Sequence, residues 1–136
     1  MSSAIREQVL AVNRRFYDAL EALDLDAMDR VWETSTRAAS VHPGGPWMLG
    51  WDEVRRGMEG IVDATSYIEF EIRDAQVHID DPTAWVTCTE RVTGGDGRVA
   101  ELAATNVFTL GGDGWRMVLH HASPIIRAGG SGDDEE

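Results

Sequence analysis

The chain has 136 residues, the composition of a globular protein and a formal net charge of −12, so we expect a single domain with one core. Nucleic acids and anionic membranes are bound by clustered positive charge, and the acidic balance argues against both partners. The chain contains no lysine, which excludes lysine Schiff-base chemistry, and the lone Cys88 excludes an intrachain disulfide.

The first half of the chain has the apolar spacing of amphipathic helices. Between residues 3 and 23, apolar side chains recur every three or four positions, at Ile5, Val9, Val12, Phe16, Leu20 and Leu23, which predicts one long helix. A second helix is predicted after an Asp26 cap and a third after an Asp52 cap. Between them, the proline- and glycine-rich segment 41–47 predicts an ordered loop.

The second half of the chain is typical of strands. Segments 67–79, 84–92, 98–110 and 115–122 are rich in β-branched and aromatic residues, and short Gly- and Asp-containing turns separate them, which predicts an antiparallel meander. Helices followed by long strands predict an α+β fold, in which a curved antiparallel sheet wraps around the N-terminal helices as a cone. We expect one domain over residues 1–126 and a disordered acidic tail over 127–136.

Several motifs carry a family resemblance between about Val9 and Ser123. They are FYDAL at 16–20, DLD at 24–26, VHP at 41–43, LGWDEV at 49–54 and GWRMVLHHASP at 114–124. The pattern resembles the nuclear transport factor 2 (NTF2)-like superfamily, in its SnoaL-like and ketosteroid-isomerase-like branch. The resemblance implies a cystatin-like cone that holds a small apolar molecule and pairs as a homodimer through the outer face of its sheet.

The same fold hosts enzymes and catalytically silent binding domains, so the resemblance leaves two functions open. One hypothesis is a cofactor-independent isomerase, dehydratase or cyclase that uses a histidine base. The alternative is a non-catalytic module for hydrophobic-ligand binding or dimerisation. No apolar stretch reaches the roughly 20 residues of a membrane span and no signal-peptide pattern is visible, so the expected location is cytoplasmic.

The resemblance also implies positions for the reacting groups. In the isomerase branch, a tyrosine on the first helix and an aspartate on a strand polarise a carbonyl, while an aspartate before a proline moves the proton. The matching positions are Phe16, Asn106 and His42. Phe16 has no donor and Asn106 is a weaker donor than a carboxylic acid, which disfavours steroid isomerisation. His42 still suits a general base, because imidazole titrates near neutrality.

Strand alternation assigns the remaining candidates to faces once Asn106 is placed inside. On the last strand, the family resemblance implies that residues 117, 119, 121 and 123 face inward, which directs His120 outward. On strand 84–92, residues 85, 87, 89 and 91 face inward, although a slip by one residue would bring Cys88 and Glu90 inside instead. The residues expected on the outer, dimer-forming face are His78, Cys88, Thr105, Val107, Val118 and His120.

These assignments define a candidate site without a metal or cofactor. The proposed catalytic residues are His42, His121 and Asn106. The proposed ligand-binding residues are Phe16, Trp32, Trp47, Trp85, Arg91, Phe108 and Leu119. For each histidine, a structural hydrogen-bonding role is the competing interpretation, since partly buried histidines are common in proteins.

Overall fold

The helices precede most of the sheet along the chain, as the apolar periodicity predicts. The computed structural model describes residues 2–126, so the predicted tail at 127–136 lies outside the described residues. The helices are α1 (Ser2–Ala22), α2 (Leu25–Val31) and α3 (Trp51–Ala64). The strands are β1 (Ala39–Val41), β2 (Met48–Leu49), β3 (Ile68–Asp80), β4 (Thr83–Gly94), β5 (Val99–Gly111) and β6 (Gly114–Pro124).

Six strands form one curved sheet in the order β2-β1-β6-β5-β4-β3. Strands β3 to β6 are the predicted antiparallel meander, whereas β1 joins the sheet parallel to β6. The apolar stripe of α1 is buried against the inner face, through Val9, Val12, Phe16 and Leu20. The α+β prediction is therefore confirmed. Within residues 2–126, no helix combines the length and apolar character of a membrane span.

Two helix starts differ from their predicted positions. Helix α2 is capped by Asp24, whose carboxylate accepts a hydrogen bond from the Ala27 amide at 3.1 Å, so Asp26 occupies the first turn instead. Helix α3 begins at Trp51 after Gly50, which has a positive φ of 85° that glycine adopts without strain. Asp52 therefore also lies in a first turn, where its negative charge interacts favourably with the helix dipole.

A β-bulge in β6 exchanges the faces of the last strand. Before the bulge, Phe108 of β5 pairs with Met117; after it, Val107 pairs with Leu119, so Val118 is the extra residue. Strict alternation from Met117 therefore fails beyond this point, because a bulge shifts every later side chain to the other face. His120 is buried and His121 is exposed. The predicted orientation of these two histidines was wrong.

The register of the β4–β5 hairpin decides the faces of β4. Thr93 pairs with Val99 and Val86 pairs with Asn106, and directly opposed residues share a face in an antiparallel pair. Even-numbered residues of β4 therefore lie on the same inner face as Asn106, which brings Cys88 and Glu90 inside. The assignment of residues 85, 87, 89 and 91 to the interior was wrong, and the alternative register was correct.

The outer face carries an apolar row that crosses the meander. His78 pairs with Trp85, Trp85 with Val107, and Val107 with Leu119. The His78 and Trp85 rings stack with their centroids 5.4 Å apart. We call these four residues the outer row. Cys88 and His120, which were expected on this face, lie in the interior instead.

Candidate functional site

Five polar side chains meet inside the cone, and we call them the buried polar cluster: Asn13, Tyr17, Glu90, Asn106 and His120. Each exposes 3% of its surface or less. Asn13 and Tyr17 lie one turn apart on α1, and the other three come from the inner faces of β4, β5 and β6. Helix packing against three adjacent strands thus assembles a polar site from residues distant in sequence.

Hydrogen bonds connect the cluster in one continuous chain. The Tyr17 hydroxyl donates to Glu90 Oε2 at 2.6 Å, and Asn106 Nδ2 donates to Tyr17 Oη at 3.1 Å and to Asn13 Oδ1 at 2.8 Å. Asn106 Oδ1 lies 2.6 Å from His120 Nδ1. Buried polar groups are costly unless they are paired, and this chain supplies partners for all five residues.

Burial decides the charge states within the cluster. It raises the pKa of Glu90 to about 7, against the opposing effect of the Tyr17 hydrogen bond. It also lowers the pKa of His120 to about 3, and the nearby His42 and His121 act in the same direction. His120 is therefore neutral at pH 7. Its Nε2 lies 4.0 Å from Glu90 Oε2, a contact between a neutral imidazole and a carboxyl group rather than an ion pair.

Tyr17 and Cys88 remain protonated beside Glu90. Burial strongly raises the pKa of the Tyr17 phenol, and the Glu90 and Cys88 charges add to the effect. Burial also raises the pKa of Cys88 to about 11, and its sulfur lies 3.7 Å from Tyr17 Oη. Tyr17 is thus a hydrogen-bond donor and Cys88 is an inert thiol at neutral pH.

His42 lies at the surface side of the cluster. It follows β1, and its ring centroid is 5.7 Å from that of His120. Its Nε2 lies 3.4 Å from the hydroxyl of the buried Ser40. Burial lowers the pKa of His42, so the half-buried imidazole is neutral at pH 7 and able to accept a proton.

The structure brings together only part of the predicted site. His42 and Asn106 lie close to the cluster, while Phe16, Trp32 and Phe108 are buried in the core around it. The remaining predicted ligand-binding residues and His121 lie elsewhere. Trp85, Arg91 and Leu119 are on the outer face, and Trp47 is 52% exposed with its ring 5.5 Å from that of His121.

Four cluster residues were missed as candidates, and one of them, His120, was predicted on the outer face. Asn13 and Tyr17 follow Val9 at intervals of four on the buried stripe of α1. The predicted stripe includes apolar residues only, so it leaves out both. The resemblance aligned the helical tyrosine of the isomerases with Phe16, one position before the actual Tyr17. Glu90 appeared only in the alternative register of β4.

Five surface cavities have volumes of about 310 to 530 Å³, and the cluster lines none of these five. The largest is lined by four consecutive residues, Glu69 to Ile72, together with side chains of α1 and β4. Because neighbours along a strand point to opposite faces, this cavity wraps around the edge of β3. Phe70 lines this cavity, and its ring centroid is 5.2 Å from that of Tyr17 in the cluster.

Comparisons with known proteins agree with the fold. Residues 9–127 match the SnoaL-like domain family. A proposed dehydratase of the NTF2-like family from Streptomyces avermitilis is 36% identical, with a TM-score of 0.88 over 93% of this chain and 100% of that one. A proposed calcium/calmodulin-dependent protein kinase type II association domain from Thiobacillus denitrificans is 32% identical, with a TM-score of 0.79 over 85% and 94% of the two chains.

A plant protein shares the same domain within a longer chain. The F-box protein SKIP8 of Arabidopsis thaliana is 27% identical over 125 residues, which are 90% of this chain and 52% of the plant protein. The present chain therefore spans about half the length of that relative. The sequence match, the meander of long strands around α1 and the shared structures lead to one conclusion: the chain belongs to the SnoaL-like domain family of NTF2-like proteins.

Proposed function

We propose that the protein is a cofactor-independent enzyme that moves a proton next to a carbonyl group, as an isomerase or dehydratase of a small, largely apolar molecule does. The observation that carries this proposal is the Glu90 carboxyl group, which is 2% exposed and has Tyr17 and His120 as its neighbours. A buried carboxyl group without a cationic partner costs free energy. Burial raises the pKa of Glu90 to about 7, and groups with perturbed pKa values concentrate at active sites.

The hydrogen bonds of the cluster suit the stabilisation of negative charge on oxygen. When Glu90 holds its proton, it is a weaker acceptor than a carboxylate, so a substrate oxygen can replace it as the acceptor of the Tyr17 hydroxyl proton. Such preorganised donors stabilise an enolate in a water-excluded site. Aromatic rings of the core lie beside the cluster, and the Phe16 ring centroid is 4.7 Å from that of His120. These rings favour an apolar substrate.

His42 is the proposed base, because it is neutral and lies between the cluster and solvent. It would take a proton from the carbon next to the carbonyl group, and the electron pair of the broken C–H bond would form the enolate. In an isomerisation, the proton returns to a different carbon. In a dehydration, it leaves with the departing hydroxyl group as water. Substrate entry past His42 would require the exposed segment 43–47 to move.

The two tyrosines allow a matched test of this function. The probes are a β,γ-unsaturated cyclic ketone and the corresponding β-hydroxy ketone, since both yield a conjugated enone whose ultraviolet absorption the unconjugated probes lack. We expect turnover by the wild type, a loss of about 100-fold or more in Tyr17→Phe, and a comparable loss in His42→Ala. The control Tyr67→Phe, on a half-exposed side chain, should retain the wild-type rate.

Two outcomes would contradict the enzymatic proposal. Wild-type turnover that survives in Tyr17→Phe would remove the cluster from the mechanism. Binding of the ketones without turnover between pH 5 and 8 would favour the non-catalytic ligand-binding alternative. The 36% identity to a proposed dehydratase supports catalysis, but the identity of the substrate depends on this experiment.

We also infer that two copies of the chain pair through the outer row. Its support is the apolar character of Trp85, Val107 and Leu119 on an otherwise polar face, and the similarity to a protein described as an association domain. The Val107→Arg substitution places a charge at the centre of the row and should prevent pairing. Light scattering should then show a monomer of 15.0 kDa in place of the wild-type dimer. Ala22→Arg, on the exposed side of α1, should leave the dimer intact. A monomeric wild type at micromolar concentration would refute the inference.

A further inference from the structure

The proton positions in the cluster follow from the hydrogen bonds around Tyr17. The Tyr17 hydroxyl has a single proton, and the short 2.6 Å contact places it on the bond to Glu90. Tyr17 Oη must therefore accept from Asn106, whose amide nitrogen lies 3.1 Å away. This contact gives one N–H bond of the Asn106 NH2 group a partner on α1 and leaves the second N–H bond to be paired.

Asn13 supplies the second acceptor for the same NH2 group. Its Oδ1 lies 2.8 Å from Asn106 Nδ2, so both N–H bonds of the buried amide have partners. With the amide held in this way, Asn106 Oδ1 can only accept, and His120 Nδ1, at 2.6 Å, must carry the proton. Because His120 is neutral, its Nε2 is left with a lone pair.

We propose that Asn13 is a positioning residue, which holds the Asn106 amide in one orientation and thereby fixes His120 as the Nδ1–H tautomer, with the unprotonated Nε2 directed toward Glu90. The importance of this arrangement for turnover rests on the function proposed above. The arrangement itself does not depend on the substrate, and it can be observed in the free protein.

The tautomer matters because of what Glu90 faces. The titratable groups around it are Tyr17 from α1, Cys88 from its own strand and His120 from β6, with His42 behind His120. An N–H bond at Nε2 would stabilise the Glu90 carboxylate and favour loss of its proton. A lone pair at Nε2 gives no such stabilisation, so the Nδ1–H tautomer helps Glu90 to keep its proton near neutral pH.

Nitrogen-15 NMR of the 136-residue chain, without any ligand, tests the proposal. In the wild type, we expect a single His120 signal pair with a protonated Nδ1 and an unprotonated Nε2 throughout pH 5 to 8. In Asn13→Leu, which removes the acceptor, the Nε2–H tautomer should appear, and the Glu90 midpoint measured by carbon-13 NMR should fall by up to about one pH unit. Asn13→Asp keeps an acceptor oxygen in either charge state and should keep the wild-type tautomer.

The control for lost packing is Val12→Ala, which changes the neighbouring buried residue of α1 without touching the hydrogen bonds. It should leave the His120 signals unchanged. A wild-type His120 protonated at Nε2, or an Asn13→Leu protein with the wild-type tautomer and Glu90 midpoint, would overturn the proposal. These readouts do not require turnover, so failure of the enzymatic function would be seen separately, in the Tyr17→Phe assay.

Discussion

The Glu90→Gln variant should gain stability over the wild type as pH rises. We expect the difference between their free energies of unfolding to change by about 3 kcal/mol in favour of the variant from pH 4 to pH 8. The folded state raises the pKa of Glu90 from 4.5 to about 7. Between these values the native state binds more protons than the unfolded state, so the wild type loses stability as pH rises. Glutamine resembles the protonated acid and still accepts from Tyr17, and it does not ionise.

The comparison must be made between variants, because His120 has the opposite effect on stability. Its pKa falls from 6.5 to about 3 in the folded state, so the unfolded state binds more protons in that range and stability rises with pH. Subtracting the Glu90→Gln free energy of unfolding from the wild-type value cancels this contribution.

Urea unfolding at intervals from pH 4 to 8 measures both proteins, with Glu7→Gln on the exposed side of α1 as the control. A difference that does not change with pH would mean that the pKa of Glu90 is the same in the native and unfolded states.

Replacing Asn106 with leucine should cost about 4 kcal/mol of stability. The amide bonds to Asn13, Tyr17 and His120, and leucine removes all three hydrogen bonds while filling similar space. The substitution leaves the Asn13 carbonyl and the His120 Nδ1–H buried without partners, and each such group costs about 1–3 kcal/mol. Urea unfolding at pH 7 gives the change in free energy.

Phe108→Leu is the matched comparison for this prediction. Phe108 lies two residues further along β5 on the same inner face and is fully buried, but it belongs to the apolar core. Its shortening should cost about 1–2 kcal/mol, through lost contacts only. If Asn106→Leu destabilises the protein no more than Phe108→Leu, the cluster hydrogen bonds contribute nothing beyond packing, and the enzymatic proposal loses its preorganised donors.

Local sequence patterns predict only part of the candidate site. His42 and Asn106 could be predicted because both occupy positions that match the reacting groups of the isomerase branch. Tyr17 and Asn13 also lie at intervals of four from Val9, but a helical stripe defined by apolar residues does not include polar side chains. Their burial makes sense only once Glu90 and Asn106 are opposite them, since a polar group stays inside a core when its partners are there.

The sequence by itself determined the helical stripe of α1, the four long strands, their antiparallel order and the family, because periodicity, strand propensity and turn residues act over a few neighbouring positions. The tertiary structure alone decided which side of each strand faces the core. The Val118 bulge and the Thr93–Val99 register are set by pairing between strands, and one residue of displacement reverses every side chain beyond it. For that reason, His120 and Glu90 are inside the cone, and His121 and Arg91 are outside it.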